Sequence, residues 1–258
     1  MNTVHGELSK EVNAYLRQIT KESRHRRVGF TPAKWKKWLD GVGGLSLNLE
    51  GFEGLISREE MVELVNASLA RDRAGVADAF VVTMLWGHGN SGYGPYRTHK
   101  ILTQGGDSVS PVVLDALHSS VEAIRRGSHD GFWFMNNKYD DSGRPAGKIA
   151  DLGPAFFTKW MYVVSAQGSP SGHHALPILD AVMQSAVKPF WGGGRPPRTG
   201  HTPDYVAYVD ALKEWGGPFG ASSVEVEEAI FDVSQGYSRL ERFAPRQLDG
   251  VFGSDAGM

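Results

Sequence analysis

The stretch from Phe156 to Ala166 is apolar on most faces of the helix it forms, and a helix of that kind has to be buried. It is entered through Ile149-Ala150-Asp151-Leu152-Gly153-Pro154, a tight turn that leads straight into the apolar run. A turn placed this way exposes unpaired backbone N–H groups at a helix start, which is a ready anion site. DNA phosphate is one possible anion. An ordinary turn between two core helices is the other reading, and the turn alone favours it.

Most of the remaining chain reads as helices joined by Gly/Pro loops. Residues 7–19 and 33–39 have helical patterning, the second behind Thr31-Pro32 as N-cap and first-turn proline. Ser57-Arg58-Glu59-Glu60 is a capping box ahead of Met61, Leu64, Val65 and Leu69 at helical spacing. Residues 75–86 are strongly apolar, and Gly87 to Pro95 reads as a glycine-rich loop. Helices are expected over Arg97–Leu102 and Val112–Arg126, then a polar loop over 137–147 and another over Gln167–Ala175. Leu176–Val187 is a second apolar segment, Trp191–Thr202 a Gly/Pro/Arg loop, and amphipathic helices follow at 203–215 and 222–232. Short β-runs do not alternate with helices, so a parallel sheet lacks support and the fold class is all-α.

Composition narrows the function. A chain of 258 residues can bury a real core, as one large domain or two closely packed lobes. A net charge of -2 is wrong for a protein that coats nucleic acid indiscriminately, so any DNA contact must come from a local patch. The absence of cysteine excludes disulfides, thiolate zinc sites, iron–sulfur clusters and cysteine nucleophiles. His173-His174 lacks metal-ligand spacing, so neither metal nor cofactor is expected. No apolar run approaches the roughly 20 residues of a membrane span. Met1 to Glu7 has no apolar stretch of the signal-peptide kind. The expectation is a cytoplasmic monomer without membrane association.

Asp180 is the one charged group in Leu176-Pro177-Ile178-Leu179-Asp180-Ala181-Val182-Met183. A lone carboxylate there is costly unless it caps a helix or lines a site. Both can hold at once. Cleavage of a glycosidic bond needs such a group, because its transition state resembles an oxocarbenium ion that a fixed carboxylate stabilises.

The order of these elements resembles the helix-hairpin-helix DNA glycosylase superfamily, over roughly residues 30–232. Leu152-Gly153-Pro154 is similar to its hairpin, and Pro177-Ile178-Leu179-Asp180 to the segment ending in its catalytic aspartate. Val76–Leu85 resembles its early apolar helix, and Tyr205–Trp215 and Val226–Phe231 its closing helices. Trp86-Gly87-His88-Gly89-Asn90-Ser91-Gly92-Tyr93-Gly94-Pro95-Tyr96-Arg97-Thr98, with Leu152–Lys159, is similar to a bacterial subgroup resembling 8-oxoguanine DNA glycosylases. The resemblance implies a single two-lobed all-α unit over 1–258 with its active site in the cleft, and residues 149–180 as hairpin, buried helix and catalytic segment. It implies double-stranded DNA carrying a modified base as partner, and a nucleoid association when bound. Two departures stand out. Asp151 replaces the first hairpin glycine, and Ala155 stands where lyase-type members carry lysine. Lys159 lies one helical turn further on a similar face, as substitute nucleophile or structural lysine. The default is a monofunctional enzyme in which Asp180 assists water attack on C1′, with an oxidised purine such as 8-oxoguanine as substrate.

The resemblance also assigns DNA contacts. Leu152, Gly153 and Ala155 would touch phosphate, Asn90 or Tyr93 would fill the gap left by the extruded base, and Arg97 and Lys100 would bind phosphate. Arg195 and Arg198 form a basic loop able to close over DNA, and Arg24-His25-Arg26-Arg27 with Lys34, Lys36 and Lys37 is a further basic cluster. Trp133 and Phe156 are candidates for the base pocket. Three rival functions remain. Similar folds excise the modified cytosines, such as glucosylated hydroxymethylcytosine, that phages place in their DNA. A non-enzymatic DNA-binding module would bind duplex without releasing a base. A dinucleotide-binding oxidoreductase is suggested by Gly87-His88-Gly89-Asn90-Ser91-Gly92, although Gly94-Pro95 interrupts that fingerprint and no second βαβ unit follows.

Overall fold

The computed structural model describes residues 6–18, 27–71, 73–137, 139, 143, 146–192 and 195–236. The described residues hold eleven α-helices, three short 3-10 helices and one two-stranded sheet. In chain order the α-helices and strands are α1 (Lys10–Arg17), β1 (Arg27–Gly29), α2 (Pro32–Leu39), β2 (Leu55–Ser57), α3 (Arg58–Leu69), α4 (Gly75–His88), α5 (Gly94–Thr103) and α6 (Pro111–Arg126). Then follow α7 (Ser128–Asn136), α8 (Pro154–Ala166), α9 (Ala181–Val187), α10 (Thr202–Gly216) and α11 (Ser223–Ser234). β1 and β2 pair antiparallel, Val28 opposite Ile56. The fold is all-α, as the patterning predicts.

The two apolar runs become the centre. In α8 every residue from Phe157 to Ala166 is buried, and in α4 every residue from Gly75 to Leu85. α8 packs against α3, α4, α6 and α7 at once, which is why no face of it is polar. The one carboxylate inside α4, Asp78, is fully buried and satisfied: it accepts from Ser46 N (3.0 Å), Ser46 Oγ (2.6 Å), Leu47 N (3.2 Å) and Arg71 (2.5 Å). It therefore pins the 46–47 loop to the core. Trp160 of α8 donates to Ser120 Oγ of α6 at 2.8 Å, so the central helix is fixed by a directional bond as well as by packing.

Helix starts follow their local chemistry. The capping box at Ser57 forms, with Ser57 Oγ accepting from Glu60 N (3.1 Å) and Glu60 Oε2 accepting from Ser57 N (2.7 Å). Ser222 and Glu225 repeat it at α11. Thr31 precedes α2 with Pro32 at the first helical position, but its side chain makes no cap bond.

One expectation is corrected, and the dinucleotide rival falls with it. The segment Gly87–Pro95 is not a continuous loop: α4 runs on to His88 and α5 starts at Gly94, leaving a turn of 89–93. The G-x-G-x-x-G match thus begins inside a helix instead of after a strand, and no parallel strand pair forms a sheet among the described residues, which removes the dinucleotide fold. Leu176–Val187 divides into an extended, buried strap up to Asp180 and then α9. A further helix, α7, follows Gly127, whose φ of 132° turns the chain sharply after α6.

The strap is what positions the site. Being extended and buried, it has no helix to satisfy its backbone, so side chains of its neighbours do so. Leu176 N donates to Ser165 Oγ (2.8 Å) and Leu179 N to Thr158 Oγ1 (3.3 Å), both on α8. Tyr205 and Tyr208 of α10 donate their hydroxyls to the carbonyls of Pro177 (2.8 Å) and Ile178 (2.9 Å). Four residues, Leu176 to Leu179, are thereby held in register up to Asp180.

Candidate active site

Where the strap ends, Asp180 serves as N-cap of α9. Its Oδ1 accepts from Val182 N (3.1 Å) and Met183 N (3.0 Å). Its Oδ2 accepts from Lys159 Nζ at 2.9 Å, and the same ammonium donates to the Ala155 carbonyl at 3.0 Å. Both side chains are largely buried, at 11% exposure for Lys159 and 23% for Asp180. Burial works to raise the pKa of Asp180, but the Lys159 charge and the two helix N–H bonds outweigh it, so the carboxyl stays below its ordinary range. It is an ionised group with a fixed orientation.

Lys159 and Asp180 line a pocket of about 180 Å³ whose other walls include Val28, Arg58, Trp86, Met183, Glu227, Glu228 and Phe231. This is smaller than the roughly 300–1,000 Å³ of drug-sized sites, and it suits one flat ring system. Gly87 of α4 also lines it, and a Cβ there would stand 2.9 Å from Lys159 Cδ. The absent side chain is what lets the lysine stem pass.

A further part of the lining is polar. Arg58 reaches Glu227 Oε2 at 3.3 Å and Glu228 Oε1 at 3.1 Å, and its guanidinium lies over the rings of Trp86 (5.4 Å) and Tyr162 (4.7 Å). Arg58 meets Glu227 through Oε2 alone. Burial pushes the Glu227 carboxyl up, against the pull of Arg58. Around one small pocket stand two cations and three carboxyls, a set that favours a guest rich in N–H donors.

The turn expected to be the hairpin sits at the start of α8. Asp151, in place of the first glycine, has φ 63°, the left-handed conformation that glycine adopts freely and aspartate tolerates. Gly153 is the N-cap of α8 with φ −86°, and a Cβ there would meet nothing within 4 Å. The chain itself therefore does not demand glycine at 153; the space beside it is open. Leu152 is buried, and Ala155 lies in the first turn of α8. Arg97 and Lys100 of α5 both reach the hairpin: Arg97 donates to the Asp151 carbonyl and Lys100 pairs with the Asp151 carboxylate, each at 3.0 Å.

The other expected site residues are dispersed. Phe156 flanks the pocket without lining it: the His88 ring stacks on it at 4.1 Å, Arg97 lies 5.1 Å from its centroid and Lys159 Nζ 5.4 Å. Trp133, on α7, is not among the walls of this pocket. Asn90 and Tyr93 are exposed in the turn between α4 and α5. Arg195 is exposed, whereas Arg198 is held by Asp204, at 2.7 Å from Nε. Gly193 and Gly194 of that loop, and Arg24, His25 and Arg26 of the basic cluster, lie outside the described residues, while Arg27 pairs with Glu60. Among the described residues no group of three or more His, Asp or Glu could hold a metal ion, and no helix is long and apolar enough to cross a membrane.

Arg58, Trp86, Glu227 and Glu228 are missed by sequence reasoning. A signal exists for one of them: Glu227 lies three residues from both Val224 and Ile230, on the buried side of its helix.

A family model described as "Putative 8-oxoguanine DNA glycosylase OGG-like protein" matches residues 21–231. No curated protein and no solved structure matches the chain.

Proposed function

The chain belongs to the 8-oxoguanine DNA glycosylase OGG-like family, and on that premise we propose that it removes an oxidised purine from duplex DNA by cutting the N-glycosidic bond. The observation that carries this reading is the Lys159–Asp180 pair at the wall of a base-sized pocket, one helical turn beyond the hairpin. In this proposal the chain acts as a single two-lobed helix-hairpin-helix unit. Open space at Gly153 admits a phosphate, with Lys100 neutralising Asp151 beside it. Tyr93 or Asn90 enters the stack and the base turns into the pocket. Trp86 and Phe231 offer apolar walls, and the Glu227 carboxyl in the same lining can accept from a guanine-type N–H edge.

The chemistry then follows from the resting charges. The C1′–N bond breaks with its electron pair leaving on the base, and the Asp180 carboxylate stabilises the sugar cation. The Lys159 ammonium gives a proton to the departing base. Its freed amine adds to C1′, Asp180 takes one proton from the attached nitrogen and returns it to O4′ as the C1′–O4′ bond breaks, and a protonated Schiff base results. Sequence reasoning makes water the default nucleophile; the direct contact of Lys159 with Asp180 inside the pocket favours the amine.

The test is base release from duplexes carrying 8-oxoguanine, uracil, alkylated purines or glucosylated hydroxymethylcytosine, scored with and without alkali and with borohydride. The expected result is 8-oxoguanine release with a trapped adduct that Lys159→Ala abolishes. Strand breaks that need alkali, with no adduct, assign the attack to water and Asp180. Release of no base from any of them sinks the proposal.

A further inference from the structure

The face formed by α2 and α5 has no part in the pocket, yet it carries an arrangement that the core does not explain. Tyr93 is 60% exposed and Tyr96 36%. Their rings lie 5.4 Å apart, Tyr96 lies 4.9 Å from Trp38, and Trp38 lies 5.7 Å from His99. Four aromatic rings thus run in a row from the 89–93 turn across α5 onto α2, which packs against it. The charges that α2 and α5 themselves carry are of one sign. Lys34 and Lys37 share a side of α2 with Trp38, at spacings of three and four residues, and Lys100 shares a side of α5 with Tyr96. Over 31–39 and 93–103 there are five Lys or Arg residues and not one Asp or Glu, in a chain where acids outnumber bases 29 to 27. Lys36 pairs with Glu50 and Lys100 with Asp151, but the side chains of Lys34 and Lys37 have no ion pair among the described residues. Arg97 and Lys100, on the same helix as Tyr96, tie this face to the turn before α8 through Asp151.

Rings with an open face beside unpaired cations match one chemistry well. Bases stack on the rings while phosphates meet the lysines. Duplex DNA hides its base faces, so the occupant has to be unpaired. We propose that the α2–α5 face is a stacking platform for unpaired nucleotides of a DNA strand, such as those exposed where the duplex opens around an extruded base. The inference rests on the DNA reading above but not on which base is removed or how the bond is cut.

The measurement is anisotropy of the full chain with a fluorescent single-stranded dT 15-mer, and with a 15-mer of the same charge built from abasic sites. The abasic units are the tetrahydrofuran analogue, which has no C1′ hydroxyl and cannot form a Schiff base, so no chemistry intrudes. Wild type is expected to bind dT about tenfold more tightly than the abasic strand. Tyr96→Ala should erase that preference and Tyr96→Phe should keep it, which separates loss of the ring from loss of the fold. Replacing Lys34 and Lys37 together by Gln should lower the slope of log K against log salt by about 1.4. Equal wild-type binding to the two strands, or a preference that survives Tyr96→Ala, overturns the platform. A wild type that keeps the preference but releases no base sinks the glycosylase reading and leaves the platform standing.

Discussion

Lys159 Nζ and Asp180 Oδ2 lie 2.9 Å apart although 21 residues separate them in the chain. The contact joins the buried helix to the strap and gives Asp180 two duties, one oxygen for the helix cap and the other for the lysine. The duties can be separated. Asn caps a helix about as well as Asp, so Asp180→Asn should keep α9 and the fold, while Asp180→Ala should cost about 1 kcal/mol of cap. Both should lower base release by about a hundredfold or more, because neither carries the charge that faces the sugar cation. Urea melts and single-turnover rates on the same preparations check this. An Asp180→Asn protein with an unchanged rate would remove Asp180 from the chemistry.

Gly87→Ala probes the other side of the lysine. The new Cβ would stand 2.9 Å from Lys159 Cδ, so the stem has to shift. Alanine is the better helix former by about 1 kcal/mol, which offsets part of the crowding. The expected outcome is a thermal midpoint within a few degrees of wild type and a clear fall in kcat. A variant with unaltered kcat would show that the lysine position is not critical.

How far these features were legible in the sequence depends on whether a signal is local. Asp180 was legible because it is the single charge in an apolar run, and the Ser57 capping box because four adjacent residues define it. The boundary at Gly87 was not: glycine reads as a helix stop, and only the lysine stem arriving from α8 explains a glycine inside the last turn of α4. The same holds for Arg58 and Glu227, which meet across 169 residues. Each belongs to an amphipathic helix whose pattern is complete without the partner. Aromatic character says nothing about direction: Trp133 stands on α7, which packs against α6, α8 and α10.

Tyr208→Phe tests the strap. The hydroxyl is fully buried and donates to the Ile178 carbonyl at 2.9 Å, two residues before Asp180. Its loss leaves a buried carbonyl without its donor, a cost of about 1–3 kcal/mol. Because the strap sets where Asp180 sits, the variant should also lose rate, and it should lose it at temperatures where circular dichroism finds the protein fully folded. Stability loss with an intact rate would mean that α9 and Lys159 alone hold the carboxylate.

His88 gives the fold a pH dependence that can be worked out in sign. Its ring stacks on Phe156, its Nε2 is buried with no hydrogen-bond partner, and burial together with the nearby Arg97 and Lys159 charges lowers its pKa to about 4. Between that value and the ordinary histidine pKa of about 6.5, the unfolded chain takes up a proton that the folded chain refuses. Stability is therefore complete above about 6.5 and falls as the pH drops toward 4, by up to about 3 kcal/mol from this one group. Since part of the ring is solvated, the measured loss should be smaller. Carboxylates titrate in the same window, so the informative quantity is the difference between wild type and His88→Gln. Urea melts at pH 7 and pH 4.5 should show wild type losing more stability than the variant. Equal losses would mean that His88 titrates normally and that its ring is open to water.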